Sequence, residues 1–303
     1  MNFATIDVGS NSILLYIAEK RTDDKFSLVY DTSDITKLGE GLSTKGVMSE
    51  AAMERSLAVI KLFVELMKKY NVSEYAAIGT MALRTAKNAT VFLKSVKEKC
   101  GIEINVISGD EEARLSYLAV KSGMELGSGT TVIFDVGGGS TEFILGEGDN
   151  IIKKFSINLG TIRFTEKYFK SDPVTPDELK SAEDAIKEEI KSIELIPGVL
   201  TLVGIGGTVT NITGVMHKFE TYDPDIAQSS IITNEEILRQ IALYSGLKLE
   251  ERKKIIGLQP KRADVIISGA LIIKNILGKT GLNSFQASDR GIRHGLMFDK
   301  FGG

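Results

Sequence analysis

A hairpin of thirteen residues occurs twice in this chain, and it limits the fold more than any other feature. Residues 131–143 read Thr-Val-Ile-Phe-Asp-Val-Gly-Gly-Gly-Ser-Thr-Glu-Phe: an apolar run ending in a carboxylate, three glycines, two hydroxyls and a second apolar run. Residues 3–15, Phe-Ala-Thr-Ile-Asp-Val-Gly-Ser-Asn-Ser-Ile-Leu-Leu, align with them without a gap, placing Asp7 on Asp135, Gly9 on Gly137 and Ser12 on Ser140. Each reads as strand, tight turn, strand. Gly137, Gly138 and Gly139 remove every β-carbon from the second turn, so successive backbone N–H groups can converge on an anion, with Ser140 and Thr141 beside them. Gly9, Ser10, Asn11 and Ser12 form the matching turn. Glycine clusters more often just make tight turns; it is the pair of Asp-x-Gly copies that points to phosphate. An internal duplication, as opposed to a solenoid repeat, predicts two similar α/β domains that close on a phosphoryl group from opposite sides. Asp135 at its strand end and Glu142 just beyond add oxygen ligands suited to a hard cation such as Mg²⁺; Asp7 is the matching carboxylate of the first copy.

At 303 residues the chain suits about two domains, each able to bury a core. A formal charge of -3 argues against wholesale nucleic-acid or membrane binding and leaves a local basic pocket for a polyanion open. No run is long and apolar enough to span a bilayer, and the N-terminus enters a strand at once with no basic leader, so the expected location is cytoplasmic. Cys100 is the only cysteine, which excludes an internal disulfide and a thiolate cluster. With His217 and His294 the only histidines, catalysis must rest on carboxylates, hydroxyls, backbone donors and Arg or Lys.

Along the chain, 26–32 reads as a third antiparallel strand and 37–46 as a loop. Ser49 and Glu50 open a helix with Met53, Leu57, Ile60, Val64 and Met67 inward, and 75–80 follows as a parallel strand. A helix starts near Asn88 and carries Cys100 on its apolar side; 103–107 is the next strand. Ser108 to Leu115 reads as turn and helix start, with Asp110 the expected N-cap and Glu111 and Glu112 in the first turn, where the helix dipole favours carboxylates. Acidic residues commonly decorate such a terminus. Glu112 stands out because loops at the carboxyl ends of parallel strands line the ligand crevice of open α/β sheets. The glycine-rich stretch 123–129 is the expected boundary between domains 1–124 and 125–290. Thr175-Pro176-Asp177-Glu178 is a capping box opening a helix with Leu179, Ala182, Ile186, Ile190 and Ile193 inward. A buried strand, 200–205, runs into Gly206-Gly207-Thr208 and a helix, which leaves room either for an anion at the helix N-terminus or for close helix–strand packing. His217 complements the dipole at that helix's end. Thr233 to Glu236 is a further capping box; helices are expected over 248–256 and 263–277, a strand over 284–288 and a closing helix over 291–303.

These residues resemble the Ppx/GppA family, the exopolyphosphatases and guanosine pentaphosphate phosphohydrolases of the sugar kinase, heat-shock chaperone and actin superfamily. The resemblance runs through Asp7 to Ser12, Gly79 to Asn88, Ser108 to Ala113, Asp135 to Glu142, Gly206 to Thr208 and Ser288 to Arg293, in order. It implies two ribonuclease-H-like (actin-like ATPase superfamily) α/β domains flanking an active-site cleft, with the closing helix returning to the first. The implied activity is Mg²⁺-dependent hydrolysis of a terminal phosphoanhydride, of inorganic polyphosphate or of guanosine pentaphosphate. Glu112 matches the family's water-orienting glutamate, Asp135 and Glu142 its acidic residues linked to metal and catalysis, the two turns its phosphate loops, and Arg84 a phosphate-contacting arginine. For Arg84 the plain alternative is a surface ion pair. Hydrolysis of an anhydride needs alignment and charge neutralisation more than covalent help, which suits a carboxylate that aims water.

Two departures stand out. Against the resemblance, the chain is expected to stop after the second domain, lacking the extra helical C-terminal region that contributes to dimerisation and long-chain binding in longer relatives, which puts processivity on long polyphosphate in doubt. His294 also sits where the family more often has an acidic residue, and reads as a partly buried helix histidine. A homodimer is among the states the chain allows. Rival readings are a sugar or acetate kinase, disfavoured by the Glu111-Glu112 block, and a non-catalytic nucleotide or polyphosphate sensor, which would have no need of Glu112, Asp135 and Glu142 together.

Overall fold

The computed structural model describes residues 1–21, 26–127, 129–191, 193–194 and 199–302. Ser128 of the expected boundary and Gly303 of the closing segment lie outside them. The chain divides into two compact units, Met1–Ser122 with Gly291–Gly303, and Gly123–Arg290.

In the first unit the chain runs β1 (Asn2–Val8), β2 (Ser12–Lys20), β3 (Phe26–Ile35), α1 (Leu42–Lys45), α2 (Glu50–Lys69), β4 (Val72–Gly79), α3 (Met81–Thr85), α4 (Ala89–Cys100), β5 (Asn105–Val106) and α5 (Gly109–Lys121). The second unit follows with β6 (Thr130–Val136), β7 (Thr141–Glu147), β8 (Asn150–Ile157), α6 (Thr161–Tyr168), α7 (Pro176–Lys191), β9 (Val199–Ile205), α8 (Gly206–His217), α9 (Pro224–Ala227), β10 (Ile231–Thr233), α10 (Asn234–Ser245), α11 (Leu249–Arg252), α12 (Ile266–Thr280) and β11 (Ser284–Ala287). The last helix, α13 (Ile292–Phe301), belongs to the first unit.

The two sheets repeat one plan. The first has the order β3-β2-β1-β4-β5, the second β8-β7-β6-β9-β11 with β10 added at the edge. In each, three antiparallel strands continue into parallel ones, the ribonuclease-H-like arrangement. Both units are α/β with mixed sheets.

Period-two alternation along β1 decides what lines each face of the first sheet. Ala4, Ile6 and Val8 enter a core with Ile60 and Phe63 of α2 and Phe92 and Val96 of α4. Phe3 packs instead with Met297 of α13, and Thr5 Oγ1 donates to the carbonyl of Arg293 at 2.9 Å. Asp7 therefore points to the face covered by α5 and α13. These two helices cross so closely at Gly295 that a β-carbon there would collide with the Leu115 carbonyl. In the second unit Val132, Phe134 and Val136 join the residues of α7, α8, α10 and α12 in one core.

Several sequence expectations are corrected. The fully buried stripe of α2 is Ala52, Ser56, Ile60, Phe63 and Met67, while Met53, Leu57 and Val64 are partly buried and pack against the same core. The strand expected over 103–107 shrinks to Asn105–Val106: Glu103 N donates to Tyr75 Oη at 3.2 Å, so a side chain meets a group a ladder would have used. The helix expected over 248–256 is only α11. Its last residue, Arg252, is buried and donates to the carbonyls of Tyr244, Leu247 and Ala263, which turns the chain there. The next helix starts three residues later than expected, after the turn Pro260–Arg262. Glu236 does not complete the capping box of α10; Thr233 caps Glu236 N, but the glutamate binds Arg239 and Gln240. Strand β10 and helices α6 and α9 were not foreseen, and the stretch 37–46 expected as a loop holds α1.

Candidate functional site

In the first unit the candidate residues gather at the carboxyl ends of β1, β4 and β5. Gly9 N–H donates to Ser12 O at 3.0 Å and closes the turn. The turn's carbonyls are tied from behind: Ser10 O accepts from Gly39 N at 2.8 Å, and Asn11 O from Thr36 and Lys37 N at 3.0 and 2.9 Å. Among the described residues no acceptor is assigned to the N–H groups of Ser10 and Asn11. The turn thus keeps two donors without a protein acceptor among the described residues while its carbonyls are occupied, as an anion requires. Asn11 Nδ2 donates to Ser12 Oγ at 3.3 Å, and Ser10 Oγ lies 3.9 Å from Met81 Sδ.

Arg84, on the short helix after β4, sends Nη1 to Ile107 O at 2.8 Å and to Glu112 Oε2 at 3.1 Å. Here the sequence reading of the helix start is corrected. The N-cap of α5 is Ser108, not Asp110: its extended backbone lets the hydroxyl accept from Glu111 N at 3.1 Å, and Gly109 already begins the helix. All three acids then occupy the first turn. Glu111 is committed to structure, forming a two-pronged pair with Arg114, which also reaches Asp299 of α13. That hydrogen bond holds the Glu111 carboxyl below its ordinary range. Glu112 is the one turned toward Arg84 and Asp7.

Asp7 is buried, and its Oδ1 has no hydrogen-bond partner. Burial pushes its carboxyl up to about 7, the Glu112 charge adds to the rise, and Arg293 of α13 opposes it. Arg293 is itself held by both oxygens of Asp31, at 3.1 and 2.7 Å.

The second unit repeats the arrangement at the ends of β6, β9 and β11. Gly137 N–H donates to Ser140 O at 2.9 Å. The carbonyls of Gly137 and Gly138 accept from Thr161, Ile162 and Arg163, the first N–H groups of α6. No acceptor among the described residues is assigned to the N–H groups of Gly138 and Gly139. Gly160 makes this packing possible, since a β-carbon there would collide with the backbone of Gly138 and Gly139. Asp135 stands directly opposite Glu142 in the β6–β7 register. Ser140 Oγ donates to Glu142 Oε1, and Thr141 is buried with its hydroxyl on Leu159 O.

The Gly206-Gly207-Thr208 block departs from the sequence reading of open room at a helix N-terminus. A β-carbon at Gly206, which has φ +82, would collide with the Asp135 carboxylate, and one at Gly207 with the guanidinium of Arg262. The space is filled by those two side chains. Thr208 is buried and donates to Val136 O at 2.7 Å, so the block can offer an anion backbone N–H groups but not that hydroxyl. Arg262 had no signal in the sequence, lying in a Pro-Lys-Arg turn far from Asp135. Burial lowers its basicity, Asp135 opposes this, and its Nε is buried without a partner.

Of the remaining sequence candidates, His217 Nε2 lies 2.9 Å from Ser230 Oγ on the surface. His294 is buried, accepts from Gly291 N at 3.2 Å and packs against Tyr16. Cys100 packs at the edge of the first unit's core.

The carboxylates fit a hard divalent cation by donor type. No group of three or more His, Cys, Asp or Glu is assembled among the described residues, but Mg²⁺ usually keeps several waters and takes only one or two carboxylates beside substrate phosphates. The orphaned, buried Asp7 Oδ1 is the oxygen most in need of such a partner. No helix among the described residues is long and apolar enough to cross a membrane.

A sequence model of the Ppx/GppA phosphatase family matches residues 16–302. The chain is similar to the bifunctional 3-dehydroquinate synthase/phosphatase of Fusobacterium nucleatum, 36% identical over 94% of this chain and 44% of that protein. It is similar to exopolyphosphatase 2 of Mycobacterium tuberculosis, 27% identical over 99% of this chain and 98% of that one. It is also similar to the guanosine-5'-triphosphate,3'-diphosphate pyrophosphatase of Photobacterium profundum, 33% identical over 98% of this chain and 59% of that one. The chain thus spans about half the length of two of these relatives and nearly all of the third. Among solved structures, the Aquifex aeolicus member of the Ppx/GppA family superposes with a TM-score of 0.86 at 32% identity, covering 99% of this chain and 97% of that one.

Proposed function

The chain belongs to the Ppx/GppA phosphatase family, an enzyme family that hydrolyses phosphoanhydride bonds, and from that premise we propose that it is an exopolyphosphatase releasing the terminal phosphate of inorganic polyphosphate. The observation that carries this reading is the repeated turn: in each unit two turn N–H groups have no acceptor among the described residues while neighbouring N–H groups occupy the turn carbonyls. Such a turn suits a phosphate oxygen and needs no rearrangement to receive one.

Each residue has a distinct task in this reading. Gly9 to Ser12 and Gly137 to Ser140 hold phosphate oxygens through backbone donors, with Gly206 and Gly207 offering further N–H groups. Arg84 neutralises charge on the substrate, exchanging Glu112 for a phosphate oxygen. Glu112 accepts a hydrogen bond from the attacking water and aims it in line with the leaving oxygen. A carboxylate in the first turn of a helix is a weak base, fitted to orienting water more than to taking its proton in the ground state. Asp7 of the first unit and, taken separately, Asp135 and Glu142 of the second are the carboxylates whose donor type would suit Mg²⁺. When bound, that ion supplies charge neutralisation for the phosphoryl oxygens and leaving group.

Polyphosphate is favoured as substrate because the relative matched from end to end is named an exopolyphosphatase. Guanosine pentaphosphate is the second reading, supported by the similarity to the Photobacterium pyrophosphatase; both substrates present the same terminal anhydride. Phosphate release with Mg²⁺ from short polyphosphate, long polyphosphate and guanosine pentaphosphate ranks them. A preference for the nucleotide replaces the first reading with the second. Binding of all three without release points to a sensor.

A further inference from the structure

Asp135, Glu142 and Ser156 stand abreast across three strands of the second unit. The register pairs Asp135 with Glu142 and Glu142 with Ser156. Directly opposed residues of antiparallel strands project to the same face, so the three side chains are neighbours. Ser140 and Ser156 both donate to one carboxylate oxygen, Glu142 Oε1, Ser156 from 3.0 Å. The other oxygen, Oε2, lies beside Gly137, 3.8 Å from where a β-carbon would stand. One oxygen is tethered by two hydroxyls and its twin is turned to the glycine turn.

We propose that Ser156 is a positioning residue for hydrolysis, holding Glu142 with Oε2 at the mouth of the turn. An exposed glutamate otherwise samples several rotamers, and hydrogen bonds to an ionised carboxylate are among the stronger ones available to restrain it. The inference rests on the hydrolase reading above, in which Glu142 is one of the carboxylates that would hold Mg²⁺ beside the phosphate in this turn.

The duplication supplies a control within the same molecule. In the first unit Asp7 pairs with Leu14 and Leu14 with Ser33. A serine thus occupies the place equivalent to Ser156, but leucine stands where the carboxylate would be. Ser33 has the same strand position, a similar exposed setting and no glutamate to hold. If a serine there mattered only to the sheet, both positions would respond alike.

The test is steady-state hydrolysis of short polyphosphate, with thermal midpoints, for the wild type, Ser156→Ala, Ser156→Thr, Ser33→Ala, Glu142→Gln and the double variant Glu142→Gln/Ser156→Ala. Ser156→Ala is expected to lower kcat about tenfold, as loss of one hydrogen bond to a charged group would, with KM within about twofold. Ser156→Thr keeps the hydroxyl and recovers most of the rate. Ser33→Ala behaves as wild type, and the double variant is no slower than Glu142→Gln alone. A defective Glu142→Gln beside a normal Ser156→Ala overturns the positioning role and leaves the hydrolase reading intact. So does a Ser156→Ala defect that persists undiminished in the Glu142→Gln background. Normal turnover by Glu142→Gln, or none by the wild type, overturns the role of Glu142 or the hydrolase reading itself, and this proposal with either.

Discussion

Arg84 and Glu112 form an ion pair, Nη1 to Oε2 at 3.1 Å, and the same nitrogen also donates to Ile107 O. The sequence left two readings for Arg84, a phosphate contact or a surface ion pair. The structure gives it a pair whose partner is the candidate water-orienting carboxylate. With about a third of each side chain exposed, the pair adds little to stability, so either partner can exchange it for substrate at small cost.

Glu112→Gln keeps the shape of the side chain and removes its charge. Turnover of polyphosphate is expected to fall by roughly 10²- to 10⁴-fold, the usual span for a positioned acid–base group, with KM changed by no more than about threefold. Phosphate release measured over a range of substrate concentrations separates the two. Near-normal turnover would assign the water to another carboxylate.

Arg84→Ala is expected to raise KM about tenfold, the scale of one charged hydrogen bond, and to leave the thermal midpoint within a few degrees. Arg84→Lys restores little, because an ammonium lacks the planar fork. An unchanged KM in the alanine variant would leave Arg84 with only its ion pair.

The Asp7 carboxyl titrates at about 7 in the folded chain against an ordinary 3.8. The folded state therefore prefers protonated Asp7: this group's contribution to stability is full below about pH 4 and is lost as pH rises through 7. The linkage amounts to at most roughly 4 kcal/mol. In chelator, the melting temperature of the wild type should drop between pH 5 and pH 8 by more than that of Asp7→Asn, and Mg²⁺ at pH 8 should restore the wild type alone. Parallel curves for the two proteins would mean that Asp7 does not carry this penalty.

Gly160→Ala and Gly139→Ala make opposite predictions although both touch the second turn. A β-carbon at Gly160 meets the backbone of Gly138 and Gly139, which cannot swing aside, whereas one at Gly139 meets nothing within 4 Å. Gly160→Ala should cost about 1–3 kcal/mol in chemical denaturation, and Gly139→Ala well under 1 kcal/mol. Equal losses would show that the turn and the start of α6 are not packed as described.

The hairpins β1–β2 and β6–β7 were legible because everything that makes them is local. Gly9 with Ser12, and Gly137 with Ser140, close the same turn within four residues, and the flanking runs alternate as strands do. Turn chemistry and period two act over such distances, so a gapless alignment was enough to find two α/β sheets of one plan. The capping of α2 by Ser49 and of α7 by Thr175 was readable for the same reason.

What sequence alone determined is thus the duplicated hairpin, its donors and carboxylates, and the membership those motifs suggest. What only tertiary structure decided is who stands next to them. Counting back from the Glu147–Asn150 pair along β7 and β8 would set Glu142 opposite Phe155; a bulge beyond Gly146 shifts the register by one and brings Ser156 there instead. Arg262 reaches Asp135 across more than a hundred residues, filling the space that two glycines leave. Asp7 meets Glu112 and Arg293 because α5 and α13 pack on its face of the sheet. Register shifts and helix packing are settled by contacts between distant segments, and no local pattern encodes them.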